Sequence, residues 1–274
     1  MATTYQGSMQ TSITRERSLR VWVGTENDLH RLLQHVMSAL NDQRQAALQT
    51  ANDTKARLLD EGLDEAFAEA KAGRLRARAR QDFTERATAT DARTKVQRTG
   101  LLSEVVAATS SKDMSDLSLT FPQSVISQPR CVWLFFSRGN GLHVRVDADE
   151  QVWANAMLAE TIREAQRNTP WWAAVFAPLG RALLSMVLQV SLFLFTFSVE
   201  RGLRLSIGLK FFIAAGLAVP ITFILTYRSV LNRILPRFEV LPVGTRATGT
   251  IRALALGGLI LTALVSALVP FLIR

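Results

Sequence analysis

Three long apolar runs in the final third of this chain constrain its fold more than any other feature. Residues 182–199 (ALLSMVLQVSLFLFTFSV) carry no charge, with Arg181 just before them and Glu200 and Arg201 just after. At about 1.5 Å per residue such a run covers roughly 27 Å, close to a hydrocarbon thickness of about 30 Å. A charge at the bilayer centre costs about 2.5–3.5 kcal/mol, so the flanking charges mark the ends of a span. A second run, 211–227, lies between Lys210 and Arg228, with Pro220 near its middle. Membrane helices tolerate such a proline when neighbours satisfy the freed carbonyl. The third, 253–273, lies between Arg252 and Arg274. None has the polar face of a water-soluble helix. The sequence predicts a membrane region over 182–274 with spans at about these three runs.

Trp171 and Trp172 stand just ahead of the first run, after Thr169 and Pro170. Indole favours the headgroup level, so the pair reads as an interfacial anchor within a linker over 169–181, the alternative being two core tryptophans. The expected membrane-interface anchors are Trp171, Trp172, Arg181, Arg228 and Arg252.

The chain's formal charge of +9 first suggests a nucleic-acid partner. Its distribution argues otherwise. Residues 1–169 hold 22 basic and 21 acidic side chains, whereas 170–274 hold 10 and 2. The excess flanks the apolar runs, and nucleic-acid binding is not expected. With the N-terminus inside, eight basic residues (Arg163, Arg167, Arg181, Arg228, Arg233, Arg237, Arg246, Arg252) fall on the cytoplasmic side and four (Arg201, Arg204, Lys210, Arg274) outside. The positive-inside rule then predicts a multi-pass protein of the cell membrane with a cytoplasmic N-terminal domain. The start of the chain has no apolar signal region, and one lone cysteine, Cys131, suits a reducing compartment.

Upstream of the runs the pattern is that of an α+β domain, a small antiparallel sheet with long helices, over 19–168. Residues 1–18 are polar and read as a disordered tail. Residues 19–23 (LRVWV) read as a first strand, followed by Thr25 as N-cap and a helix carried by Leu29, Leu32, Leu33, Val36, Met37 and Leu40. Residues 41–80 are good helix formers with sparse apolar positions and a break at Gly62 or Gly73; a coiled coil contributed by each protomer of an oligomer is an alternative. An acidic group (Asp60, Glu61, Asp64, Glu65, Glu69) precedes a basic one (Lys71, Arg74, Arg76, Arg78, Arg80). Residues 82–100 fit a weak hairpin around Asp91-Ala92-Arg93 or more helix. Residues 101–108 read as a short helix and 117–121 as a strand stopped by Pro122. The clearest element is a hairpin of 131–138 and 142–146 through Gly139-Asn140-Gly141, since Asn and Gly accept positive φ. Asp147 with Glu150 three residues on then resembles a capping box opening a helix to about Arg167.

No residue set carries recognisable chemistry. His30 and His35 are five apart rather than the four that would align two metal ligands, and His143 stands alone. Cys131 opens a strand and reads as a small core residue. No Walker, HExxH, GxSxG or paired CxxC pattern occurs. Catalytic, cofactor-binding and metal sites are therefore not expected. The sequence points to a membrane-anchored, non-enzymatic binding or sensing protein whose partners are the bilayer and another protein or a second copy. The alternative is an oligomeric pore or membrane-perturbing effector, with Gln189, Ser185 and Gly257-Gly258 packing its helices.

Overall fold

Alternation of apolar and polar residues builds the central sheet. The computed structural model describes residues 12–109, 113–123, 129–199, 235–241, 250–255, 257–258 and 261. Strands β1 (Ile13–Leu19), β3 (Arg86–Asp91), β4 (Gln97–Leu101), β5 (Met114–Phe121), β6 (Arg130–Ser137) and β7 (Gly141–Ala148) form one antiparallel sheet in the order β1-β7-β6-β5-β3-β4. Leu117, Leu119 and Phe121 of β5, Val132, Leu134 and Phe136 of β6, and Leu142, Val144 and Val146 of β7 all point to one face and are buried. Each such side chain removed from water contributes about 1.5–3 kcal/mol.

Helices α1 (Glu26–Ala39) and α5 (Gln151–Gln166) cover that face with Leu29, Leu32, Leu33 and Val36 and with Ala154, Met157, Ile162 and Ala165. Thr25 caps α1 as expected. Its hydroxyl accepts from the Asp28 N–H, and the Asp28 carboxylate accepts from the Thr25 N–H at 2.8 Å. A short helix, α4 (Leu102–Ala108), adds Leu102 and Val105 to the core. The opposite face of the sheet is open, with hydroxyls (Thr88, Thr99, Ser118, Thr120) grading into Trp133 and Phe135, then His143 and Arg145.

The α+β architecture thus follows the sequence, with several boundaries moved. The tail expected over 1–18 is strand from Ile13 onward, pairing with β7 from Ile13–Ala148 to Leu19–Leu142. Its run of Arg15, Glu16 and Arg17 hid it, because charge is what an exposed edge strand carries to avoid pairing with other chains. The single strand expected at 19–23 is divided: β1 ends at Leu19, and β2 (Trp22–Thr25) belongs to a second, two-stranded sheet.

Asp147 is not a helix cap. It stays in β7, where its carboxylate takes two hydrogen bonds from Arg145, while Glu150 precedes α5 and makes no side-chain cap bond. Pairing of β7 on both sides extends the strand past the expected box. In the β6–β7 turn only Gly141 has positive φ, +83°, and the Asn140 N–H donates to the Ser137 carbonyl. A Cβ on Gly141 would strike the carbonyls of Leu19 and Arg20, so close passage of the β1–β2 connection also demands glycine.

Between Asn41 and Asp82 the chain forms two helices, α2 (Asn41–Asp60) and α3 (Glu65–Asp82), reversed at Gly62 with φ +78°, while Gly73 lies within α3. They pack on each other through Ala51, Leu58, Ala68, Ala72 and Ala79, none of which belongs to the main core cluster. Lys55 and Arg76 both bind Glu69, at 2.6 and 3.1 Å. The pair is an arm joined to the sheet domain at its root, where the Gln43 amide donates to the Arg130 carbonyl at 3.3 Å. The weak hairpin also forms as β3–β4, its turn closed by Asp91, whose carboxylate accepts from the backbone of Arg93 and Thr94.

After α5 come a 3-10 turn (Trp171–Phe176) and α6 (Pro178–Val199), 22 residues long. Strand β8 (Phe238–Leu241) pairs with β2 in parallel, and residues 250–255, 257–258 and 261 are helical. Among the described residues no helix is long and apolar enough to cross a membrane; the side chains of 191–192 and 194–199 in α6 are outside that description. The expected span 211–227 and Arg228 lie outside the described residues, as does most of 253–273.

Candidate functional site

The most constructed place in the molecule is the joint where the α+β domain meets the C-terminal segments. Its parts come from distant stretches of chain: β2, the connection after α5, the 3-10 turn, the start of α6, and β8. The order is dictated by backbone bonding. The Trp22 N–H donates to the Arg237 carbonyl at 2.8 Å, the Arg237 N–H to the Arg138 carbonyl at 3.3 Å, and the Val23 N–H to the Asn168 carbonyl at 3.0 Å. Trp22, Val23, Gly24 and Thr25 then stand beside Phe238, Glu239, Val240 and Leu241 in register.

Side chains fill the joint in two groups. Trp22, Phe136 and Phe238 form an aromatic triad, with centroids 5.1 Å apart for Trp22–Phe136 and for Phe136–Phe238. Such pairs add about 0.5–1.5 kcal/mol beyond their buried area. Behind β2 a smaller cluster joins Val21, Trp172, Phe176, Leu235 and Ala253. The Arg237 guanidinium lies 4.3 Å from the Phe176 ring centroid, a cation–π contact inside a buried setting.

The expected anchors divide here. Trp171 is 66 % exposed, while Trp172 is 1 % exposed and donates from Nε1 to the Thr250 hydroxyl at 3.3 Å. Trp172 is therefore a core residue of the joint, with its indole facing protein; only Trp171 presents its ring outward. Arg181 is half-buried one turn into α6, and Arg252 is exposed in the helical segment after Thr250. The 3-10 turn and α6 are pressed together at Gly180, where a Cβ would run into the Ala174 carbonyl. Trp172 thus meets Thr250 and Ala253 on one side of the joint.

Sequence reasoning missed Trp22, Phe238 and Arg237 as parts of one site. A signal existed. Residues 238–241 (FEVL) form a short strand-like run bounded by Pro236 and Pro242, inside what reads as a basic loop between two apolar runs.

Elsewhere the chemistry is dispersed. His30 bonds Glu85 at 2.8 Å, His35 is 3.8 Å from Glu160, and His143 bonds Ser18 at 2.9 Å. These pairs belong to α1 and β7 and do not converge. Among the described residues no group of three or more His, Cys, Asp or Glu is placed to hold a metal. Cys131 is buried in β6, and burial, with Asp147 beside it, pushes its thiol up to about 11. A cleft of about 580 Å³ at the root of the arm is lined by Gln43, Ala47, Leu75, Arg78, Ala79 and Arg130 among others. A second, of about 320 Å³, lies on the open sheet face against Thr88, Thr99, Ser118, Thr120 and Trp133. No histidine or cysteine lines either cleft.

Compared with known proteins, the chain matches no family model, no curated protein and no solved structure.

Proposed function

We propose that the protein is a membrane-anchored, non-enzymatic binding or sensing module, with its α+β domain on the cytoplasmic face and its C-terminal apolar runs in the bilayer. One observation carries the reading. The chain departs from the domain along α6 and is back on it at β8, with 200–234 between them. That interval contains the apolar run 211–227 and follows the uncharged stretch 182–199. An out-and-back pair of spans leaves by one route and returns to the same side, which is the arrangement the basic flanks favour. The apolar side chains Leu179, Leu183 and Met186 of α6, and Ile251 and Leu254 beyond β8, are exposed on the described surface. Several large apolar side chains left exposed along these segments suit lipid better than water.

In this reading the joint is the transmitting element. A ligand on the domain that shifts β2 displaces β8, and β8 is tied to both neighbouring membrane segments. The full chain tests the topology. In sealed vesicles with the cytoplasmic face inward, residues 13–168 should resist added protease and a cysteine at 205 should react with an impermeant maleimide. Digestion of the domain under these conditions, or release of the whole chain by alkaline carbonate, would sink the proposal.

A further inference from the structure

The arm formed by α2 and α3 contributes no residue to the main core, so the fold of the sheet domain does not explain it. Its inner seam on α3 is Ala68, Ala72, half-buried Leu75 and Ala79, spaced four, three and four and facing α2. The other side of α3 carries a second row: Phe67, Ala70, Arg74 and Ala77, spaced three, four and three, with Leu63 just ahead of the helix. All five are exposed, Leu63 to 42 % and Phe67 to 50 %. A three–four row is the spacing by which one helix packs against another in a coiled coil, and among the described residues its members stay exposed.

The charges along α3 identify the occupant. Asp64 and Glu65 lie at its tip end, and Arg74, Arg78 and Arg80 toward its root. A second α3 laid parallel would set like charges together, whereas an inverted one sets acid against base. A two-fold interface is self-complementary by nature, since each patch meets its own copy reversed. Centred near Ala70, inversion brings Phe67 of one copy over Arg74 of the other, a cation–π pairing. It also brings Leu63 onto Ala77, and Asp64 toward Arg78. The small Ala70 at the crossing lets the two backbones approach closely. An anionic membrane surface fits less well, because the apolar end of the row is the acidic end.

We propose that the protein self-associates through α3, the arms of two copies crossing antiparallel about an axis near Ala70. The proposal stands independently of the membrane reading. The test uses the full chain in detergent or nanodiscs. Ala70→Cys treated with a short bifunctional maleimide should give a covalent dimer, while Ala56→Cys on the outer face of α2 should not; Cys131 is buried and stays silent. The paired reversals D64K/E65K and R74E/R78E should each weaken dimerisation about tenfold or more, and an equimolar mixture of the two should restore it as a heterodimer. Circular dichroism equal to that of the native chain shows that the arm is still folded. A monomeric chain, crosslinking at 56 equal to that at 70, or a mixture that fails to pair would overturn the proposal and leave the row to a different partner.

Discussion

Trp22 and Phe238 stand in register on neighbouring parallel strands, their ring centroids 6.1 Å apart, although one lies near the start of the chain and the other between its last two apolar runs. The contact belongs to the main core, not to its margin. Phe238→Ala should cost about 3–5 kcal/mol by the usual penalty for emptying a buried aromatic site. Phe238→Leu, which keeps most of the volume, should cost less than half of that. Denaturant unfolding of the full chain, followed by tryptophan fluorescence, measures both; equal losses would mean that the triad does not hold the joint.

Gly141 meets two demands at once, a positive φ and the nearby carbonyls of Leu19 and Arg20. A left-handed conformation costs an ordinary residue about 1–2 kcal/mol, and the steric conflict adds to it. Gly141→Ala should therefore destabilise by more than about 2 kcal/mol, with hydrogen exchange speeding first in β1. Gly139→Ala, where a Cβ meets open space, should change stability by only a few tenths.

Thr25 and Asp28 satisfy one another's backbone at the start of α1. Thr25→Ala should cost about 1 kcal/mol, and Thr25→Ser should recover most of it. Because α1 lies on the sheet through four buried residues, the loss should appear in global unfolding.

Cys131 is a protonated thiol in the fold. Its ordinary value of 9.0 is raised to about 11, so above pH 9 the unfolded chain releases a proton that the folded one keeps. Its contribution is complete below pH 9 and is lost as pH rises toward 11. Stability should fall over that window, and Cys131→Ala should flatten the fall. Maleimide labelling at pH 8 should require denaturant.

Glu69 titrates in the opposite sense. Hydrogen bonds from Lys55 and then Arg76 hold its carboxyl below the ordinary 4.5. The stabilisation of the arm is present above that value and disappears as pH falls through the lowered one. As pH falls through the lowered value, amide protection in α2 and α3 should drop, and Glu69→Gln should show at neutral pH the reduced protection that the native arm shows in acid. The sheet domain should not follow.

What was legible in the sequence was local. The strands β5, β6 and β7 show period-two burial, α1 shows three- and four-residue spacing behind its cap, and the arm's reversal shows only as a break at one of two glycines, Gly62 or Gly73. β1 was illegible because its charges serve as edge protection, and its pairing with β7 is a long-range event with no local mark. The joint failed to show for the same reason. Residues 238–241, in a five-residue stretch between prolines, gain strand character only from β2, and Trp172 is indistinguishable from Trp171 until the cluster around Val21 and Leu235 buries one and leaves the other. The capping box at Asp147 failed because an ion pair with Arg145 and two neighbouring strands outweigh a local motif.

The placement of β8 also fixes a schedule. Phe238 and Val240 complete a core whose remaining members are all made by residue 165. At ordinary elongation of about 5–20 residues per second, the domain waits several seconds with Trp22 and Phe136 uncovered while the first two apolar runs emerge. A fragment ending before Leu235 repeats that unfinished state permanently and should aggregate. Adding a peptide spanning 235–241 should rescue it, as a missing strand does when supplied from outside.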